Sequence, residues 1–143
     1  MSKYTWLLDP GHGGIIEGVY QTAGKRSPRF PDGSVLYEGE FNRDIVKRIL
    51  KLTSGWAPGR HRTHYRLHAI DTINLVDTEE DMSLQARVKT ANDIHREKSN
   101  CIYVSVHANA FGNGRDFNSA KGACSFHHYK SKNGKRLAEV LQR

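Results

Sequence analysis

The sequence of 143 residues predicts an α/β fold: one domain with a mixed, mostly parallel sheet and helices on both faces. Three observations lead there. Two apolar runs, Tyr4 to Leu8 and Cys101 to Asn109, have the β-branched and aromatic content of buried strands. Between them lie two stretches whose apolar residues recur at helical spacing. Each run also delivers a histidine, His12 or His107, at its carboxyl end, where open α/β sheets place ligands.

The elements follow in order. Tyr4 to Leu8 is a strand, broken by Asp9-Pro10-Gly11-His12-Gly13-Gly14. Gly13 to Tyr37 holds Gly13, Gly14, Gly18, Gly24 and Gly33 with Pro28 and Pro31, so it reads as loop. A loop this long inside a compact domain is usually functional or mobile. Glu38 to Leu52 is a helix with Phe41, Ile45, Ile49 and Leu52 on one face. Gly55, Pro58 and Gly59 end it. Arg60 to Asp71 has no readable pattern. Ile73 to Val76 is a short strand and Asp77 to Asp81 an acidic turn. Ser83 is an N-cap for a helix running to about Lys98, with Leu84, Val88, Ala91 and Ile94 on its buried side. Cys101 to His107 is expected to be the central strand. Phe111 to Lys121 is loop, and Ala123 to Tyr129 another strand. A helix begins at Lys135 and the sequence stops within its second or third turn, without a cap. The domain, residues 1–143, is therefore expected to lack its last elements.

The net charge is +7, which favours an anionic partner: nucleic acid, a membrane surface or an anionic cell wall. The basic residues are scattered and aromatics are not interleaved with them, so no nucleic acid is expected as partner. No apolar run approaches the roughly 18–20 residues of a membrane span, so no membrane insertion is expected. Met1-Ser2-Lys3 runs straight into the first strand with no cleavage site before it, which predicts a product that is cytoplasmic as synthesised. Cys101 and Cys124, both in apolar runs, are expected to be free core thiols.

Two strand-end histidines begin a metal site. Glu38, at the start of a helix after the long loop, is the third ligand to choose, with Glu40 competing. His12, Glu38 and His107 can converge above the sheet. Two His and one carboxylate form a catalytic zinc set that leaves the fourth position free. Convergence requires the imidazoles of His12 and His107 to lie within about 8 Å of each other, given Zn–N bonds of about 2 Å. His61, His64 and His68 fall at i, i+3 and i+7, but Arg60, Arg62 and Arg66 around them would repel a cation. His127 and His128 are neighbours on the expected last strand, so they point to opposite faces.

Five motifs carry a resemblance when taken together and in order. They are Leu8-Asp9-Pro10-Gly11-His12-Gly13-Gly14; Glu38-Gly39-Glu40-Phe41-Asn42; Ser83-Leu84-Gln85-Ala86-Arg87-Val88 with Ala91-Asn92; Val104-Ser105-Val106-His107-Ala108-Asn109; and Gly122 to Tyr129 with Leu137-Ala138. The sequence resembles the zinc-dependent N-acetylmuramoyl-L-alanine amidases of the type 3 class. Their pattern has a glutamate with an apolar residue three places on and an asparagine four on. Glu38, Phe41 and Asn42 fit it; Glu40 does not. The resemblance implies Zn²⁺ held by His12, Glu38 and His107, and peptidoglycan as partner. It implies cleavage of the amide between the lactyl group of N-acetylmuramic acid and L-alanine. It also implies a catalytic glutamate beyond Arg143; Glu139 is not that residue. Phage and prophage endolysins use this domain without a signal peptide and act at the cell wall or periplasm after release. Asn109 and the Gly13-Gly14 backbone are candidates to position substrate, and Gly14 to Tyr37 to form one wall of the groove. The alternative reading is a zinc-containing peptidoglycan-binding module that does not cleave.

Overall fold

The computed structural model describes residues 3–54 and 70–143. Its elements are β1 (Thr5–Pro10), β2 (Ile15–Ile16), β3 (Val19–Tyr20), α1 (Glu38–Thr53), β4 (Asp71–Asn74), α2 (Leu84–Lys98), β5 (Cys101–Val106) and α3 (Lys132–Leu141). They fall into two units, one ending at Ala110 and one spanning Phe111–Arg143.

In the first unit β4, β1 and β5 form a parallel sheet in that order. β1 is the middle strand, so β5, expected at the centre, lies at an edge of the described sheet. Burial accounts for this. Successive side chains on a strand face opposite sides, and both Leu7 and Leu8 are buried, at 1% and 2% exposure. Residues of β5 alternate between half-buried and exposed towards its carboxyl end. Leu7 packs with Leu75 and Val76, and with Ala91, Ile94 and Cys101 around them, so α2 covers its face. On the other face the Thr53 hydroxyl of α1 bonds that of Thr72, the β4 residue in register with Trp6. Helices cover both faces, as a parallel sheet needs.

Neither helix buries the whole of its apolar stripe, and each turns polar residues inward as well. α1 buries Gly39, Asn42, Arg43 and Val46, while Phe41 and Leu52 are exposed. α2 buries Arg87, while Leu84 and Val88 are 76% and 56% exposed. Ala91 and Ile94 do pack inward as expected. The cause is polar: Asn42, Arg43 and Arg87 each reach backbone carbonyls at the end of β1. The Ser83 cap is as expected, its hydroxyl accepting from the Ala86 amide at 3.2 Å.

The long segment after β1 is ordered into two excursions. β2 and β3 pair through a two-residue turn at Glu17 and Gly18, whose φ angles are 50° and 81°. Positive φ at both positions is the hairpin turn whose twist suits the flanking strands. Arg26 then bridges Tyr37, with Ser27 and Phe30 amides bonding the Leu36 and Ser34 carbonyls inside that bridge.

In the second unit, α3 starts at Lys132, ahead of the expected Lys135, because Ser131 caps it by accepting from the Gly134 amide at 2.9 Å. Residues 123–129, expected as a strand, form none. No described strand pairs with them, and an unpaired run does not hold strand geometry on its own. Phe126 and Tyr129 are accordingly exposed. Both cysteines are free, as expected, but only Cys101 is partly buried and Cys124 is exposed. His61, His64 and His68 lie outside the described residues. No described helix is long and apolar enough to cross a membrane.

Leu7→Ala is expected to lower the unfolding free energy by about 2–5 kcal/mol, the range for emptying a core leucine site. Leu84→Ala should change it by no more than about 0.5 kcal/mol, as for exposed positions. Urea unfolding reads both, and equal losses would contradict the orientation of α2.

Candidate metal centre

His12 sits in the turn that follows β1, with a left-handed φ of 67°. A residue with a Cβ holds that conformation at a cost, so its surroundings must over-determine it. They do so through the backbone. The Pro10 carbonyl accepts from Arg87 Nη1 at 2.8 Å and the Gly11 carbonyl from Asn42 Nδ2 at 3.0 Å. The His12 carbonyl accepts from Arg43 Nη1 at 2.8 Å and Arg87 Nη2 at 3.2 Å. The Gly11 amide donates to the Val106 carbonyl at 2.9 Å, which ties the turn to the end of β5. Arg87 is itself paired with the buried Asp9 carboxylate, which also accepts from the Tyr103 hydroxyl and from Ser105 Oγ. Burial and the bond to Asp9 push the Tyr103 phenol well above its ordinary pKa, so it stays a donor.

Glu38 is the first residue of α1, whose N-cap Tyr37 makes no side-chain cap. The long segment supplies the missing acceptors. The Glu38 amide donates to the Lys25 carbonyl at 2.9 Å and the Gly39 amide to the Tyr20 hydroxyl at 2.9 Å. Free amides at a helix start need such partners, and here they fix where the carboxylate begins. Position 39 must be glycine: a Cβ there would lie 1.8 Å from the Gly13 carbonyl oxygen. His107 follows β5, and Gly11 makes room for its ring, since a Cβ on Gly11 would lie 2.2 Å from His107 Cε1.

These supports bring the three expected side chains together. Glu38 Oε1 lies 3.3 Å from His12 Nε2 and 3.1 Å from His107 Nδ1. The two imidazoles meet edge to face, 4.9 Å between centroids, and one donor atom from each residue lies within 4.8 Å of the others. Zinc bonds of about 2.0–2.1 Å in a tetrahedron separate neighbouring ligand atoms by roughly 3.3 Å. Two of the pairs already stand near that distance, so the donor set fits a small divalent cation. The side chains of His12 and Glu38 are sheltered, at 18% and 13% exposure, and His107 is open at 48%. The His12 pKa is lowered, first by burial and then by His107 and Lys25, against the pull of Glu38 and Asp81. That favours the neutral imidazole, the form that binds metal.

Glu40, the competing glutamate, is exposed, and its carboxylate lies against Gly14 and not among the histidines. His127 and His128 are on no strand; their Nδ1 atoms contact the local backbone at the His128 carbonyl and the Lys130 amide. Asn109 is exposed two residues past His107, its Oδ1 accepting from the Ala110 amide at 3.0 Å. The Gly13 and Gly14 amides donate within the protein, to Thr22 Oγ1 and the Glu79 carbonyl. A cavity of about 180 Å³ is lined by Pro10, Arg43, Val46 and Thr78 and by none of His12, Glu38 and His107. Asp9 and Arg87 stand in the five motifs without a role assigned to them, and Arg43 was not singled out. Arg87, set between Leu84, Val88 and Ala91, carried a signal as a charge on an apolar stripe.

Two imidazoles and a sheltered carboxylate, at the carboxyl ends of neighbouring parallel strands, have the make-up of a candidate metallohydrolase centre. The sequence comparison narrows the class. The chain belongs to the N-acetylmuramoyl-L-alanine amidase family, whose sequence model matches residues 7–143. This is a family of enzymes that hydrolyse an amide of peptidoglycan. No curated protein matches the chain.

Asp9→Asn should cost about 3–5 kcal/mol in denaturant unfolding, because it strands the buried Arg87 charge. Lys89→Ala, which removes an exposed pair with Asp93, should cost under about 1 kcal/mol. Gly11→Ala should displace the His107 ring, seen as a shift of its imidazole NMR resonances in a protein that still folds. Unmoved resonances would mean that the ring does not depend on the space at Gly11.

Proposed function

We propose that the chain is a zinc-dependent hydrolase that cuts the amide joining the lactyl group of N-acetylmuramic acid to L-alanine in peptidoglycan. The observation that carries this reading is the meeting of His12, Glu38 and His107 in a chain of this family. When bound, Zn²⁺ supplies Lewis acidity towards the substrate carbonyl and brings the pKa of water down towards about 7. His12 and His107 would hold the ion through ring nitrogens and Glu38 through a carboxylate oxygen. The exposure of His107 leaves the cluster open on its side, where a polymeric substrate has access. Asn109, beside it in the chain, is the candidate to orient the substrate amide. Residues 14–37 form one wall, because their bonds to α1 hold them next to Glu38. The net charge of +7 suits an anionic cell wall as the place of action.

Zinc content by atomic absorption, with dye release from labelled cell walls, tests the reading. The full chain should carry roughly one zinc. His12→Ala, Glu38→Ala and His107→Ala should each lose it, and Glu40→Ala should keep it. Unchanged zinc in both histidine variants refutes the ligand set. Zinc and wall binding without dye release, both in this chain and in one extended past Arg143, favour the non-cleaving binding module.

A further inference from the structure

Arg43 lies on α1 a little over one turn from Glu38 and is 5% exposed. Its guanidinium holds three segments at once. Nη1 donates to the His12 carbonyl at 2.8 Å and to the Gly39 carbonyl at 3.3 Å. Nη2 donates to the Thr78 carbonyl at 2.8 Å, and Nε lies 3.0 Å from Glu79 Oε2. His12 carries one ligand candidate, and Gly39 directly follows another. A single nitrogen thus joins the backbone of the β1 turn to the backbone beside Glu38. The two segments are distant in sequence and share no strand ladder. A planar fork with fixed N–H directions suits this task, whereas an ammonium group is a point charge without that geometry. The fork also grips the carbonyl of the residue whose φ is 67°.

We propose that Arg43 is a positioning residue for the metal centre, setting the His12-to-Glu38 separation before an ion arrives. This rests on the metal reading above, and Arg43 acts through backbone carbonyls. The test measures Zn²⁺ affinity by competition with a chromophoric chelator, and the visible absorption of the Co²⁺-loaded full chain. Arg43→Gln should weaken Zn²⁺ binding by about 10–100-fold, the range for groups that orient metal ligands, and change the Co²⁺ bands. Arg43→Lys should recover only part of both. Glu79→Gln, at a half-exposed position, should weaken binding by a smaller factor while the metal-free melting temperature stays put. Arg43 variants that fold and bind within twofold of wild type, with unchanged Co²⁺ bands, overturn the proposal. If neither Arg43 variant folds, Glu79→Gln decides: weaker binding at unchanged melting supports the role, and unchanged binding overturns it. A wild-type chain that binds no metal, or His12→Ala that binds normally, would instead bring down the metal reading itself.

Discussion

The carbonyl oxygens of Pro10, Gly11 and His12 leave β1 without a ladder to accept, and they turn into the protein. Each such group left unbonded in the interior costs about 1–3 kcal/mol. Arg87, Arg43 and Asn42 meet all three. The two guanidinium charges are answered in turn by Asp9 and Glu79. This buried polar frame holds the turn that carries the His12 imidazole. Further back, the sheet packs on Leu7 and Leu8 and their apolar neighbours.

That frame decides how the helices lie. An amphipathic helix ordinarily turns its apolar stripe inward. α1 and α2 rotate so that Asn42, Arg43 and Arg87 face the strand ends, and Phe41, Leu52, Leu84 and Val88 are left at the surface. A buried ion pair is weak support for stability compared with apolar packing. Its value here is geometric, since the same groups that neutralise each other also place a left-handed residue at the sheet edge.

Much of this was readable in the amino-acid order. Strand-end histidines, a glutamate opening a helix, and Ser83 as a cap all follow from local rules, and their positions agree with the structure. The residues alone left Glu38 and Glu40 open and the family's pattern favoured Glu38; the contacts around Gly14 are the physical counterpart. What could not be read depends on contacts between distant segments. The inward faces of α1 and α2 are set by carbonyls of β1, which no helical periodicity records. β5 is more apolar than its edge position requires, so composition placed it in the centre. Residues 123–129 have strand composition but no described partner, and composition cannot supply one. The ordering of residues 15–37 was hidden because glycines and prolines mark turns without saying how tightly those turns are bonded.

The excursion that caps α1 has a root and a tip with different freedoms. At the root, Tyr20, Thr22 and Lys25 are bonded to Gly39, Gly13 and Glu38. At the tip, Pro31, Asp32 and Gly33 are exposed and bonded within the excursion, the Gly33 amide to Phe30 and its carbonyl to Arg29. The tip is thus a natural place to graft a foreign recognition peptide, giving the scaffold a new adhesive specificity while the carboxylate's seat stays untouched.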